Sequence, residues 1–260
     1  MKRIKPKKYL GQHFLKDSNI SKKIVESLIS KKLKSILEIG PGMGILTQYL
    51  INKKTETFFI EIDKDSIMYL NKMYPKIKNS IIHDDFLKVS LDQFKTPIGL
   101  IGNFPYNISS QILFKLIENR KNVEELVGMF QLEVANRVCA SPGSKTYGIL
   151  SVLVQAFYVT EFLFDLNPSH FNPPPKVNSG VIRLTKKDDQ DLDCDEKLFF
   201  KIVKTSFQQR RKTLRNSLKT FNLPVNIKED VIFEKRPETL SVDDFILLTN
   251  IIADGTIPAY

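Results

Sequence analysis

Cysteine is scarce in this chain of 260 residues, which contains only Cys139 and Cys194. The two lie far apart, form no Cys-x-x-Cys pair and have no histidine pair near them, which excludes a disulfide framework and a structural zinc site. Long apolar runs are also missing. The longest candidate, residues 147–159, is interrupted by glycine, serine and glutamine, whereas a membrane span needs about 18 or more apolar residues. The sequence therefore predicts a protein with no metal ion and no membrane contact.

The first residues, MKRIKPKK, carry the positive charge typical of a signal peptide. Residues 9–14, YLGQHF, then stand where a signal peptide would need a long apolar region. The composition is that of an ordinary globular protein, with 42% hydrophobic and 26% charged residues. We therefore expect a cytoplasmic protein that folds unaided into one large domain or two unequal ones.

The positive charge is concentrated in two segments of the chain. Its net charge is +10, and residues 1–8 hold five basic residues while residues 201–220 hold seven, with no acidic residue in either segment. Such clusters indicate a polyanionic partner, most commonly nucleic acid and less commonly an anionic membrane. A solvated helix face together with a charged tail is the alternative that charge alone leaves open.

The second basic segment has a spacing that suits a helix. Phe200, Val203, Phe207 and Leu214 recur at helical intervals, and the apolar pattern predicts one helix over residues 198–221. On it Arg211 and Arg215 are four residues apart and Lys204 lies seven before Arg211, so the three would share one face. We therefore expect an RNA-binding face formed by Lys204, Arg211 and Arg215.

Strand-like and helix-like segments alternate along the first part of the chain. This alternation predicts a parallel α/β sheet with helices on both faces, and about seven strands in all. The predicted strands are residues 35–39, 57–62, 79–82, 97–101, 126–130, 161–166 and 177–184, and helices are expected at 45–52, 66–73, 109–117, 133–140 and 151–158.

The remaining residues predict a second, smaller domain. Residues 186–196 are polar and acidic without apolar periodicity, which is typical of a linker. After them, helices are expected at residues 198–221, 228–231 and 242–253. The predicted organisation is a Rossmann-like domain over residues 1–185, a linker over 186–196 and a helical RNA-binding domain over 197–260.

A glycine-rich turn follows the first predicted strand of the sheet. Gly40, Gly42 and Gly44 stand between that strand and the next helix, where glycine lets the backbone approach a ligand closely. Glu61 ends the next strand about 20 residues later, at a position from which a carboxylate can accept hydrogen bonds from both hydroxyls of a ribose. The pattern favours a nucleoside cofactor; a turn that merely packs helix on sheet is the alternative.

Two aspartates follow the third predicted strand. Asp85 is placed where a carboxylate can accept a hydrogen bond from the amine of an adenine, and Asp84 is its competitor for that role. Either residue would also serve as the cap of a following helix, so position alone leaves both interpretations open.

The sequence Asn103-Phe104-Pro105-Tyr106 follows the fourth predicted strand. Asn103 offers an amide oxygen, Pro105 a backbone carbonyl, and Tyr106 a flat ring on which a base can stack. Two acceptors on the hydrogens of an adenine amine would favour a pyramidal nitrogen with an available lone pair. A proline turn with a packed aromatic side chain is the plainer interpretation, but the place at the end of a strand opposite the glycine turn favours catalysis.

Taken in order, the motifs resemble those of the bacterial small-subunit ribosomal RNA adenine dimethyltransferases, and they cover nearly the whole chain. Relatives commonly have asparagine at position 13 and leucine at position 104, where this chain has histidine and phenylalanine. The motifs that carry the resemblance are residues 11–15 (GQHFL), 38–44 (EIGPGMG), 61–63 (EID), 85 (D), 102–109 (GNFPYNIS), 144–148 (SKTYG), 171–177 (FNPPPKV) and 209–216 (QRRKTLRN).

The resemblance implies an enzyme that uses S-adenosylmethionine and no metal to dimethylate the exocyclic amines of two adjacent adenosines. These adenosines lie in a hairpin loop near the 3′ end of the small-subunit RNA, and the implied partner is the small ribosomal subunit, bound by a monomer. The implied catalytic residues are Asn103, Pro105 and Tyr106, and the residues implied to contact the cofactor are His13, Leu15, Gly40, Gly42, Glu61, Asp85 and Asn103.

Three other functions remain open from the sequence. A related class of methyltransferases modifies large-subunit RNA and confers antibiotic resistance, although residues 209–216 and 145–148 favour the small-subunit group. A non-catalytic ribosome assembly factor would need the basic segments but neither Asn103 nor Tyr106. A DNA adenine methyltransferase would share the Asn-Pro-Tyr chemistry, but the chain has no evident module for reading DNA sequence.

Overall fold

Two compact units make up the chain in the computed structural model, which describes residues 5–221 and 223–255. The first contains the described part of Met1–Asn136 together with Val159–Lys186. The second contains Arg137–Tyr158 together with the described part of Lys187–Tyr260. Each unit is built from segments that are distant in sequence, so long-range packing rather than chain order defines it.

The described residues form nine strands, ten α-helices and several short 3₁₀ turns. The strands are β1 (Phe14–Leu15), β2 (Ser35–Ile39), β3 (Glu56–Glu61), β4 (Ile81–His83), β5 (Ile98–Asn103), β6 (Val123–Gln131), β7 (Tyr158–Leu166), β8 (Phe171–Asn172) and β9 (Ser179–Lys186). The α-helices are α1 (Ser18–Glu26), α2 (Thr47–Leu50), α3 (Lys64–Met73), α4 (Ser109–Glu118), α5 (Leu132–Val138), α6 (Ile149–Phe157), α7 (Glu196–Gln208), α8 (Leu214–Ser217), α9 (Val225–Lys228) and α10 (Val242–Asp254). The 3₁₀ turns include Lys8–Leu10, Pro75–Ser80, Leu91–Gln93, Tyr106–Ile108, Pro168–His170, Lys219–Phe221, Val231–Glu234 and Pro237–Thr239.

A seven-stranded sheet in the order β4-β3-β2-β5-β6-β9-β7 confirms the predicted Rossmann-like α/β class. The five neighbouring strands β4, β3, β2, β5 and β6 are parallel to one another. Strand β9 runs antiparallel to β6. All five residues of β2 are buried, as expected for a parallel strand covered on both faces. The chain order reverses between β2 and β5, and such a reversal opens a crevice at the carboxyl ends of the strands.

The side chain of Phe104 fills the sheet just beyond the end of β5. It is 1% exposed, and its ring centroid lies 4.9 Å from that of Phe130. The ring occupies the space over Gly102 and Gly128. A Cβ added at Gly102 would lie 2.6 Å from the carbonyl oxygen of Ile39, and one added at Gly128 would lie 1.9 Å from a ring carbon of Phe104. The two glycines therefore make room for the segment that carries the Asn-Phe-Pro-Tyr motif.

We expect Gly128→Ala to lower the free energy of unfolding by about 1 to 3 kcal/mol, the usual cost of overpacking a core. Denaturant unfolding measures the change. The same substitution should cost less in the Phe104→Leu background, because the smaller side chain leaves room for the added methyl group. An equal cost in both backgrounds would show that crowding by the ring is the wrong explanation.

The second unit is helical, as the sequence predicts. Helices α6, α7 and α10 pack together, and the buried residues of α7 include Phe199, Ile202 and Val203. Aromatic contacts join the elements: the ring centroid of Phe207 lies 5.9 Å from that of Phe245 on α10. None of the helices in the described ranges is both long and apolar enough to cross a membrane.

The single helix predicted over residues 198–221 is wrong. Helix α7 ends at Gln208, and α8 begins only at Leu214, after an extended Thr213. In the intervening chain, the Arg210 guanidinium donates to the carbonyls of Ser144 and Lys145, which attaches this turn to residues far away in sequence. The helix predicted at residues 228–231 is also wrong, because α9 stops at Lys228 and a 3₁₀ turn follows from Val231.

Residues 137–158 lie in the second unit, although the predicted first domain, 1–185, includes them. The reason is that α6 packs against α7 and α10. The acidic segment expected to be a linker is also tied to this unit: the Lys187 N–H donates to the Phe157 carbonyl at 3.0 Å. The boundaries 1–185, 186–196 and 197–260 remain a prediction about independently folding domains.

Candidate active site

Two adjoining cavities lie at the carboxyl ends of the central strands of the first unit. Their volumes are about 180 and 310 Å³. The smaller is lined by residues that include Glu61 and Asp85, the larger by residues that include Glu38 and Gly44. Both touch Phe14, Gly40, Gly42 and Asn103, so these four residues mark the junction between them. A ligand with two chemically different ends can therefore extend across Asn103.

The glycine turn after β2 forms part of both cavities. Gly40 and Gly42 adopt the left-handed conformation, with φ of 65° and 56°, which glycine adopts without steric cost. A Cβ at Gly40 would meet no protein atom within 4 Å, whereas one at Gly42 would lie 2.9 Å from the Phe14 ring. Gly40 therefore leaves open space on the cavity side for a close ligand, as the sequence predicts.

Glu61 ends β3 with its carboxylate fixed by the backbone. The side chain accepts hydrogen bonds from the N–H groups of Gly42 and Asp63, each at 2.9 Å and on a different oxygen. The residue is 4% exposed, and burial raises the pKa of the carboxyl while the two backbone bonds oppose that rise. Each oxygen keeps lone-pair capacity for one further donor, which suits a pair of neighbouring hydroxyls.

Glu38 is a buried acid for which the sequence motifs predict no role. It lies on β2 beside the larger cavity, and its carboxyl accepts a hydrogen bond from the Thr47 hydroxyl at 2.7 Å. Burial, opposed by this bond and reinforced by the charge of Glu61, raises the pKa of Glu38 to about 8. Glu38 is therefore mostly protonated at pH 7, which limits repulsion between the two acids.

Asp84 and Asp85 both line the smaller cavity. Asp85 is partly buried, and its carboxylate accepts from the Leu87 N–H at 3.0 Å. Asp84 is exposed and accepts from the Asp85 N–H at 2.7 Å. Each residue thus stabilises the local turn, and the remaining oxygen of Asp85 is available to a ligand in the cavity.

Asn103 lies at the end of β5 with its amide held in one orientation. Its Nδ2 donates to the backbone carbonyl of His13 at 2.8 Å. That bond uses one of the two N–H groups of the amide and fixes its orientation, and the oxygen remains able to accept a hydrogen bond from a ligand. The partner is 90 residues away in sequence, so no local pattern could have predicted this contact.

Pro105 and Tyr106 follow Phe104, and Tyr106 begins a 3₁₀ turn that has Pro105 at its N-cap. The Pro105 carbonyl accepts from the Ile108 N–H at 3.2 Å, and the Ser109 hydroxyl lies 3.5 Å from it and 3.1 Å from the Tyr106 carbonyl. The Tyr106 hydroxyl shares a hydrogen bond of 2.6 Å with the hydroxyl of Ser179. Burial raises the pKa of Tyr106 and the Ser179 bond partly offsets it, so the phenol is neutral at physiological pH.

One wall of the smaller cavity is built by the segment before β1. Gln12 and His13 line it. Lys7 Nζ lies 2.5 Å from Asp63 Oδ1 and 2.7 Å from Asp65 Oδ2, and Gln12 donates to Asp63 at 2.9 Å. These bonds raise the pKa of Lys7 and attach the segment to the loop that follows Glu61.

The segment is fixed at its other end by a small two-stranded sheet. Phe14 pairs with Asn172 and Leu15 with Phe171, and the His13 ring donates from Nδ1 to the Pro173 carbonyl at 2.8 Å. His13 thus reaches the smaller cavity and Leu15 the larger one. All seven residues predicted to contact a cofactor line one cavity or the other.

The three residues predicted to bind RNA do not share one helix face. Lys204 lies on α7, Arg211 in the turn after it, and Arg215 on α8, where its guanidinium is 3.6 Å from Glu234. Two basic residues of the first charged segment, Lys2 and Arg3, lie outside the described residues. Within the part of the chain that the structure describes, no group of three or more His, Cys, Asp or Glu side chains is placed to hold a metal ion.

A family model described as "Ribosomal RNA adenine dimethylase" matches residues 3–254. A Flavobacterium johnsoniae protein named ribosomal RNA small subunit methyltransferase A is 58% identical, covering 98% of this chain and 99% of its own. The protein of that name from Bacteroides thetaiotaomicron is 52% identical, over 98% and 97% of the two chains. Among solved structures, a dimethyladenosine transferase from Plasmodium falciparum matches with a TM-score of 0.80 and 29% identity, covering 94% of this chain and 99% of that one.

The fold and the two-part cavity define an S-adenosylmethionine-dependent methyltransferase. The match over nearly the whole chain goes further, and the chain belongs to the ribosomal RNA adenine dimethylase family. The residues present fit this methyl donor: Gly40 leaves space for a close ligand, and Glu61 has a fixed carboxylate that would accept from the hydroxyls of its ribose. When bound, S-adenosylmethionine supplies a methyl group activated by a positively charged sulfur.

Proposed function

We propose that this enzyme dimethylates the exocyclic amines of two adjacent adenosines in a hairpin loop near the 3′ end of small-subunit ribosomal RNA, during small-subunit biogenesis. The names of the relatives at 58% and 52% identity support the small subunit as substrate. The same proposal includes action as a monomer in the cytoplasm, with the small ribosomal subunit as partner.

The observation that carries the proposal is the position of Asn103. It borders both cavities, and its tether to the His13 carbonyl leaves the amide oxygen available. With a nucleoside in the smaller cavity and an amino-acid group in the larger one, the sulfur that joins them lies near this junction. This position supports a role for Asn103 in holding the accepting amine where transfer occurs.

The chain accelerates the reaction by positioning the amine. Conjugation with the ring makes an adenine amine a poor nucleophile. Acceptance of its two hydrogens by the Asn103 oxygen and the Pro105 carbonyl localises the lone pair on nitrogen. The nitrogen then attacks the methyl carbon in line as the carbon–sulfur bond breaks, and a proton leaves the amine to water. Orientation of this kind supplies a large share of the rate acceleration in enzymes.

The residues that line the two cavities receive distinct binding roles. Glu61 accepts both ribose hydroxyls and Asp85 accepts from the adenine amine. Gly40 and Gly42 border the amino-acid portion, while His13 and Leu15 line the cavities from the segment around β1. Tyr106 provides the surface on which the target base stacks once it has left the RNA helix.

We expect replacement of Lys204, Arg211 and Arg215 with glutamine to weaken RNA binding. Removal of each phosphate contact should reduce the slope of log affinity against log salt by about 0.7 to 0.9. The three residues lie on separate backbone segments, so the single variants should differ from one another. Filter binding at several salt concentrations measures both quantities.

A matched control removes the same charge from the first unit. Lys53, Lys54 and Lys76 are exposed, and their replacement with glutamine should leave the salt slope close to that of the unmodified protein. If both triple variants change the slope equally, net charge rather than a local contact accounts for the effect.

The proposed substrate is tested by incubating the enzyme with labelled S-adenosylmethionine and three acceptors: undermethylated small subunits, large subunits and DNA. Mapping of dimethylated adenosines to one hairpin loop of the small-subunit RNA is the expected result. Label in the large subunit would instead favour a resistance-type methyltransferase. Binding to small subunits without label would favour a non-catalytic assembly factor.

A further inference from the structure

We infer that Ser179 is a positioning residue for methyl transfer, acting through the hydroxyl of Tyr106. The inference rests on the proposed function, because it takes Tyr106 as the surface on which the target base stacks. Ser179 touches neither cavity, so its effect must pass through the tyrosine.

The bond between the two hydroxyls joins elements that are distant in sequence. Tyr106 lies in the 3₁₀ turn after β5, and Ser179 is 73 residues further on, at the start of β9. The oxygens are 2.6 Å apart. Ser179 is fully buried and faces Gln131 in the antiparallel ladder between β9 and β6. The sheet therefore fixes the point to which the end of the tyrosine ring is attached.

A second contact restrains one face of the same ring. The His13 ring stacks on Tyr106 with centroids 5.6 Å apart and planes inclined by 28°. His13 is itself held through Nδ1 by the Pro173 carbonyl at 2.8 Å. Because direct contact between the two rings leaves no room for a base between them, the target base must stack on the opposite face of Tyr106.

The direction of that free face depends on the tilt of the ring. A phenylalanine in the same place would stack equally well, but it would lack the bond to Ser179, so its ring could tilt against His13 about the side-chain torsions. The hydroxyl bond removes this freedom. The amine that Asn103 must hold is part of the same stacked base, so a tilted ring carries it away from the Asn103 oxygen.

Single-turnover methylation of undermethylated small subunits, at saturating S-adenosylmethionine and RNA, tests the inference. Ser179→Ala and Tyr106→Phe should each lower the rate constant about 3- to 10-fold, the effect of one hydrogen bond. The double variant should lose no more than either single variant, because all three lack the same bond. Tyr106→Ala should lose more, and affinity for S-adenosylmethionine should stay unchanged in Ser179→Ala, because Ser179 lines neither cavity.

Ser35→Ala is the matched control. Ser35 also begins a strand of the sheet and is fully buried, and its hydroxyl has no hydrogen-bond partner among the residues that the structure describes. This variant should methylate at the full rate, which separates the loss of a buried hydroxyl from the loss of the bond to Tyr106.

Four results would overturn the inference. Full activity of Ser179→Ala with strong loss in Tyr106→Ala would reject Ser179 and leave the proposed function intact. Losses that multiply in the double variant, or a parallel loss of S-adenosylmethionine affinity in Ser179→Ala, would show that Ser179 acts on the fold and not through Tyr106. Full activity of Tyr106→Ala would reject the stacking role, and the proposed function of Tyr106 would fall with it.

Discussion

Replacement of Asn103 with alanine is expected to slow methyl transfer by about 10²- to 10³-fold, the effect of losing one preorganised polar contact. The side chain is fixed before substrate arrives, because its nitrogen is bonded to the His13 carbonyl. The variant loses both that bond and the acceptor for the amine. Affinity for S-adenosylmethionine should fall much less, since most of the cavity lining is unchanged. Single-turnover kinetics and titration calorimetry measure the two quantities.

Asn52→Ala is the control for the loss of an asparagine, since Asn52 is exposed and lines neither cavity. It should show the rate of the unmodified enzyme. Near-normal single-turnover transfer by Asn103→Ala would contradict the role assigned to this residue, whatever its effect on binding.

Glu61→Ala should weaken binding of S-adenosylmethionine by about 1.5 to 3 kcal/mol, or roughly 10- to 150-fold. The carboxylate is lost as an acceptor for the two ribose hydroxyls. The N–H groups of Gly42 and Asp63 lose their partner as well, which loosens the glycine turn on the other side of the nucleoside. Titration calorimetry at constant pH gives the change directly.

Glu125 offers a close control for this prediction. It is a fully buried carboxylate of the same sheet and also accepts from two backbone N–H groups, those of Ile29 at 3.1 Å and Ser30 at 2.8 Å. It lines neither cavity, so Glu125→Ala should destabilise the fold without changing S-adenosylmethionine affinity. Equal losses of affinity in the two variants would show that Glu61 acts only through stability.

The central part of the site could be predicted because its features are local in sequence. Gly40, Gly42 and Asn103 each follow a strand, and parallel strands bring their carboxyl ends to one edge of a sheet. The alternation of strands and helices predicts that the strands are parallel. Glu61 follows from its spacing after the glycine turn. For these residues, knowledge of the sheet order was not needed.

The remainder of the site depends on contacts between distant residues. Ser179 meets Tyr106 only because β9 inserts beside β6, and Lys7 meets Asp63 across 56 residues. Neither pair has a periodic signal. The interruption of the predicted helix at residues 209–213 has the same origin, since Arg210 binds carbonyls more than 60 residues away. Apolar spacing alone continues through this break, because Phe207 and Leu214 are seven residues apart.

The tethered amide of Asn103 also bears on how the reaction ends. Its oxygen has no hydrogen and can only accept hydrogen bonds, and the bond from the nitrogen to the His13 carbonyl fixes the orientation of the amide. Unmodified adenosine offers two N–H groups, the monomethylated base offers one, and the dimethylated base offers none. In the proposed arrangement the amine therefore donates fewer hydrogen bonds after the first transfer and none after the second. The dimethylated base then has no hydrogen left to donate to the Asn103 oxygen, so in this arrangement the reaction ends after the second transfer.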